Sequence, residues 1–156
     1  MDTPASPYEH VIAAFNRRDW QTTIETGSRL LPQVPQHAGL HYMIGVALME
    51  RQQLTPALQY LAQASKLAPD HAGFMAQYAK ALSISRQTTL AQQAAEQALS
   101  LRPEDPLILD TLGVVFAQAN AQTRAADAFR KAVSLAPLEP GYRFNLATSL
   151  VAIGAL

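Results

Sequence analysis

His37 and His41 stand four residues apart, a spacing that sets two imidazoles on one helix face and, with a third ligand, can hold a metal ion. No third ligand of suitable type lies near them in sequence, and His37 falls in a turn while His41 falls among packing residues. The pair therefore reads as structural, and His10 and His71 offer no better constellation. Nucleophilic catalysis needs a positioned nucleophile, a base and an orienting acid, and no grouping of that form is visible. Neither GxxxxGK[ST] nor GxGxxG occurs. Asp110 and Lys80 can form a charged pair, but a surface ion pair of small worth explains them. Arg130 and Lys131 near a helix C-terminus are explained by the helix dipole and by solubility. The expectation is a chain that is not an enzyme, with no catalytic residue, no cofactor and no metal.

The whole-chain balance points the same way. Of 156 residues, 49 % are hydrophobic, enough for a core. Twelve Lys and Arg balance twelve Asp and Glu, scattered singly or in pairs such as Arg17 and Arg18, so no basic stripe exists to follow nucleic acid. The absence of cysteine excludes disulfides and thiol chemistry and fits a reducing compartment. The first ten residues, MDTPASPYEH, lack the basic and apolar segments of a secretory signal, and no apolar run approaches the ~20 residues needed to span a bilayer. Cytoplasmic residence and no membrane partner are the expectation.

The elements that must position any functional group repeat every 34 residues. Sliding the chain by that period superposes Pro35, Pro69, Pro103 and Pro137, and also Ala64, Ala98 and Ala132. Strict units cover 38–71, 72–105 and 106–139, a partial one covers 140–156, and counting back puts a divergent first unit at 4–37. Each unit reads as a first helix of about 13 residues, a turn of about three, and a second helix ended by proline. Asp19 is placed to cap the second helix of the first unit, and Asp105-Pro106 and Glu139-Pro140 suit helix starts. Small residues at Gly45, Ala79, Gly113 and Ala147 form one column of the first helices. Ala57, Ala91 and Ala125 form one column of the second, so the axes can approach closely. Ile44, Tyr78, Leu112 and Leu146, with Leu48, Leu82, Phe116 and Leu150, are the expected core around those columns, and Trp20 is expected in the core of the first pair.

Gly45, Leu48, Ala57, Leu61, Ala64 and Pro69 match the tetratricopeptide repeat pattern. The match recurs at Ala79, Ala91, Ala98 and Pro103 and at Gly113, Ala125, Phe129, Ala132 and Pro137. The chain thus resembles that family over nearly its whole length, with departures at Val11, Thr23 and Gly27 and at His41, Met75 and Leu109, where an aromatic residue is common. The resemblance implies an all-α fold: a single domain over 1–156, a right-handed superhelical solenoid of antiparallel helix pairs, about four and a half repeats long.

The resemblance also implies a concave groove, lined by first helices, that binds a peptide or partner protein. By position it includes Tyr8, Ile12, Tyr42, Met43, Val46, Met49, Ala76, Gln77, Lys80, Asp110, Thr111, Val114, Phe144, Asn145 and Thr148. Met43 and Met49 have an alternative use, packing between adjacent first helices. The Lys, Asn and Arg ring with which one subfamily grips a C-terminal carboxylate is missing, because the matching positions are Tyr8, Ile12 and Met43 and only Lys80 is cationic. The Asn ladder of some glycosyltransferase arrays is missing too, its column reading Glu9, Met43, Gln77, Thr111, Asn145. The last unit stops after one helix and leaves an apolar edge at Leu146, Leu150 and Ile153. That edge suggests self-association. A second reading is the N-terminal repeat portion of a larger bacterial enzyme, such as a sulfotransferase or glycosyltransferase.

Overall fold

A computed structural model describes residues 3–155, and among these all regular structure is helical. The helices are α1 (Pro7–Asn16), α2 (Trp20–Leu30), α3 (Ala38–Glu50), α4 (Leu54–Leu67), α5 (Ala72–Ile84), α6 (Thr88–Ser100), α7 (Pro106–Gln118), α8 (Gln122–Leu135) and α9 (Pro140–Ala152), with a short 3₁₀ turn at Leu31–Gln33. After Pro69 the chain divides into two compact units. In the first, α1 packs on α2, α2 on α3 and α3 on α4. In the second, α5 pairs with α6, α7 with α8, and α9 packs on α8, while α5, α7 and α9 lie side by side.

The starts and stops of these helices follow one chemistry at the repeat period. Ahead of each first helix from α3 onward stands a side chain that accepts a hydrogen bond from the first turn. His37 Nδ1 accepts from Leu40 N–H at 3.1 Å and His71 Nδ1 from Phe74 N–H at 3.2 Å. Asp105 accepts from Leu107 N–H at 2.8 Å and Glu139 from Gly141 N–H at 3.4 Å. These satisfy amide donors that a helix start otherwise leaves without a partner. The first unit uses Ser6 and Glu9 in a reciprocal capping box at α1, and Asp19 accepts from Thr22 N–H at 3.2 Å at α2.

The turns inside the pairs are equally regular. Arg18, Gln52, Arg86 and Asn120 all adopt positive φ, between 59° and 62°, and Gly154 takes the same register at 72°. Each is followed by an amide that reaches back five residues, as from Gln53 to the Leu48 carbonyl and from Ala121 to Phe116, at 2.9 and 2.8 Å. That is the Schellman arrangement, which closes the last turn of a helix and reverses the chain. Only Gly154 has the residue type that enters this region without steric cost; the other four are held there by the pairing of the helices.

Packing inside the pairs depends on volume matched across the interface. A Cβ on Gly45 would lie 2.7 Å from Leu61 Cγ, and one on Gly113 would strike the ring of Phe129. At the equivalent positions of the α5–α6 pair stand Ala79 and Ala95, both fully buried. Large faces glycine and alanine faces alanine. In the first pair Val11 takes the small-residue column and Gly27 the large one, so the sizes are reversed. Gly27 in turn makes room for α3, because a Cβ there would come within 2.8 Å of Ile44 Cγ1. Val11 and Gly27, which depart from the repeat pattern, are thus matched to their neighbours. Trp20 is half-buried and meets Phe15 edge-on, with ring centroids 5.7 Å apart.

Two outcomes follow for stability. Gly113→Ala is expected to cost about 2 kcal/mol by overpacking against Phe129, and to cost nothing or stabilise in a Phe129→Ala background. Urea denaturation of the four chains checks this, and equal cost in both backgrounds would contradict the volume match. Arg86→Gly is expected to stabilise by about 0.5–1 kcal/mol by relieving positive φ, and a lower urea midpoint would contradict it.

Candidate functional site

In the first unit the expected surface divides by depth. From Leu40 to Met49 every residue of α3 except Tyr42 is buried. Met43, Val46 and Met49 retain only 6, 8 and 7 % exposure, so their side chains are spent on packing. Tyr8 and Ile12 are half-buried, and the Tyr8 ring lies 4.6 Å from that of His37. Tyr42 is half-buried with its ring 6.0 Å from Phe15, and burial pushes its phenol above the ordinary value. The two histidines with metal-like spacing have other work: His37 caps α3 and His41 Nε2 donates to the Pro35 carbonyl at 2.8 Å. Among the described residues no three His, Asp or Glu side chains come together in the manner of a metal site.

In the second unit the expected residues lie on α5, α7 and α9, which stand side by side. Ala76 is buried, Gln77 and Lys80 are half-buried on α5, and Asp110, Thr111 and Val114 are half-buried on α7. On α9, Asn145 is half-buried and Thr148 exposed, while Phe144 leaves 72 % of its surface in water. Thr111 and Thr148 both turn their hydroxyls onto carbonyls of their own helices, Leu107 and Phe144, at 2.9 Å, which leaves their methyl groups available to a neighbour. Asn145 Nδ2 donates to Asp110 Oδ1 at 2.8 Å and ties α9 to α7. Lys80 does not pair with Asp110, contrary to the charged pair that the sequence suggested: Asn145 holds that carboxylate instead, and Lys80 has no ion pair among the described residues.

Below Phe144 lies a cavity of about 270 Å³ between α7, α8 and α9, whose walls include Val114, Asn145 and Thr148 as well as Phe129. It also brings in Gln118 and Gln122, which the sequence reading missed. Gln118 lies one helical turn beyond Val114, so continuing that column by four residues was the signal that would have found it. Ser83 Oγ donates to the Gln118 amide oxygen and joins α5 to α7 at this end. A cavity of similar size, about 280 Å³, lies in the first unit between α1 and the end of α2, lined by His10, Thr26, Arg29 and others. It contains none of the expected residues, and we take the α7–α9 cavity as the candidate because four of them meet there.

The field at the other end of this face is negative. Partial burial, then the charges of Asp110, Glu139 and Asp105, hold the Tyr142 phenol above its ordinary value. Outside this face the cations of α8 are already engaged: Arg124 with Glu96, Arg130 with Asp127 and Lys131 with Glu104. No helix of the described residues is long and apolar enough to cross a membrane. Leu138, Val151 and Ile153 on and beside α9 are 89, 62 and 41 % exposed.

Comparison with known proteins adds the following. Two family models, each described as tetratricopeptide repeat, match residues 38–71 and 79–140, together well over half of the chain. No curated protein matches the sequence. Among solved structures, the chain is similar to MamA from Desulfovibrio magneticus RS-1, at 19 % identity and a TM-score of 0.77, with 96 % of this chain and 84 % of that one covered. It is similar to MamA of AMB-1 at 15 % identity and a TM-score of 0.79, covering 97 and 89 %. It is also similar to TTC0263, a thermophilic TPR protein in Thermus thermophilus, at 21 % identity and a TM-score of 0.76, covering 96 and 84 %. At these identities the likeness is one of fold alone.

The electrostatics of the face are open to titration. Asp110→Asn keeps an acceptor for Asn145 and removes one charge, so the Tyr142 phenol is expected to ionise at lower pH, closer to its ordinary value of 10.0. Ring-proton NMR titration reads this directly, and an unchanged midpoint would contradict the assignment of the field.

Proposed function

Because the chain belongs to the tetratricopeptide repeat family, we propose that it is a non-catalytic interaction module that holds a segment of a partner protein against α5, α7 and α9. One observation carries this reading: Phe144 stands 72 % exposed on the wall of the cavity that also holds Val114, Asn145 and Thr148. A scattered exposed apolar residue is ordinary, but a large one beside an apolar hollow with a few polar groups at its edge is the form of a recognition site. Covering the ring alone would contribute about 1.5–3 kcal/mol. The polar side chains around it are either tied to their own helix or cross-linked, as Asn145 is to Asp110, so little order is lost when a partner docks.

The buried Met43, Val46 and Met49 take the role of framework in this reading, and the half-buried Tyr8, Ile12 and Tyr42 remain the accessible members of the first unit. The cysteine-free composition suits a partner met in a reducing cytoplasm.

A photoreactive residue placed at Gln118 in the cells that make the protein is expected to cross-link a partner. The same residue at Ser134, exposed on α8, is not. Phe144→Ser should abolish the Gln118 product while leaving the circular dichroism spectrum unchanged. Equal products from both positions, or a product indifferent to Phe144→Ser, would sink the proposal.

A further inference from the structure

We infer that the segment held by α7 and α9 carries an arginine or lysine beside an apolar side chain, the cation lying at the N-terminal ends of the two helices and the apolar group entering the cavity by Phe144. The inference rests on the reading just given and specifies the chemistry of the partner.

Three carboxylates stand at that end of the face. Asp105 and Glu139 cap α7 and α9, and Asp110 lies about one turn into α7. The two helix N-termini offset part of this charge, each acting as roughly half a positive charge, so about two negative charges remain. All three lie near enough to Tyr142 to add, after its partial burial, to what disfavours the ionised phenol. Among the described residues none of these three carboxylates is in an ion pair. Arg124 and Arg130 are paired on the second helices, and Lys131 is paired with Glu104 in the loop that leads into α7. Arg143 follows Tyr142 but leaves α9 about 100° further round. Lys80 takes the register of Val114, one turn further along than Asp110, and has no ion pair among the described residues.

Charge and apolar surface therefore lie next to one another in a fixed order along the face. Phe144 occupies on α9 the repeat position that Asp110 occupies on α7, so the exposed ring stands beside the acidic end. An arginine or lysine arriving there meets both the carboxylates and the face of an aromatic ring, two features that favour a cation. Beyond the ring, Val114, Phe129 and Ala152 offer an apolar lining for the neighbouring side chain. An acidic segment would meet repulsion at Asp110, and a wholly apolar one would bring the carboxylates no opposite charge. Charge matching of this kind sets which partner is chosen more than how tightly it binds.

A library of random linear peptides displayed on phage and selected on the full chain, with the Phe144→Ser chain as counter-selection, tests the inference. Selected sequences are expected to carry Arg or Lys within a few residues of an apolar side chain. For one synthesised peptide, replacing its cation by glutamine, or making Asp110→Asn in the protein, should weaken binding about tenfold at low salt, and Asp127→Asn on α8 should not. Selected peptides without a preference for cations, or binding indifferent to Asp110→Asn, would overturn the inference and leave the proposed function standing. Failure to select any peptide that prefers the unmodified chain to Phe144→Ser would overturn both.

Discussion

The close approach of two helices, fixed by the summed volume of one residue from each, is the constraint on which the rest of this structure depends. Gly45 meets Leu61, Gly113 meets Phe129, and Ala79 and Ala95 divide the same space equally. Glycine and alanine bring two backbones together at small cost only if the opposite residue fills what they leave, because interiors pack at crystal density. Once each pair is set at that distance, its first helix has one face against the second helix and another left for neighbours or ligand. In the second unit three such helices stand side by side, and the candidate surface is what they leave uncovered.

The same period disposes of most residues that suggested chemistry. His37 and His71 occupy the position that Asp105 and Glu139 fill in later units, and all four do one job, accepting an amide hydrogen bond at a helix start. An imidazole and a carboxylate are interchangeable there because each offers an in-plane lone pair to the N–H. His71 also stacks on Phe74, with ring centroids 3.6 Å apart. The cap and the Schellman turn recur in register because both are geometric requirements of reversing a chain between packed helices, and residue type yields to them. Arg18, Gln52 and Arg86 accept positive φ for that reason.

The helix boundaries were legible from the prolines, the acid-proline steps and the small-residue columns, since these act locally. So was the common face of Val114, Phe144, Asn145 and Thr148, because residues one period apart share a face, whereas Gln118 and Gln122 were not foreseen. Depth was not legible. Packing was an alternative for Met43 and Met49, but nothing in its residue type marked Val46 as nearly enclosed, because burial depends on how many neighbours press on a helix and from which sides. Pairing was not legible either: Asp110 had Lys80 as its obvious partner by charge, but the side-by-side placement of α7 and α9 gives it Asn145. A neutral amide at hydrogen-bonding distance leaves the carboxylate charged and its field available to a ligand.

The proposed recognition surface has an acidic end and an exposed aromatic ring borne by first helices, and an apolar hollow to which α8 contributes Gln122 and Phe129. Chemical-shift mapping of the isotope-labelled full chain with a bound partner segment tests that placement most directly. The account predicts that the largest shifts fall on Asp110, Val114, Gln118, Phe144 and Thr148; shifts concentrated instead on the exposed residues of α6 and α8 would contradict it.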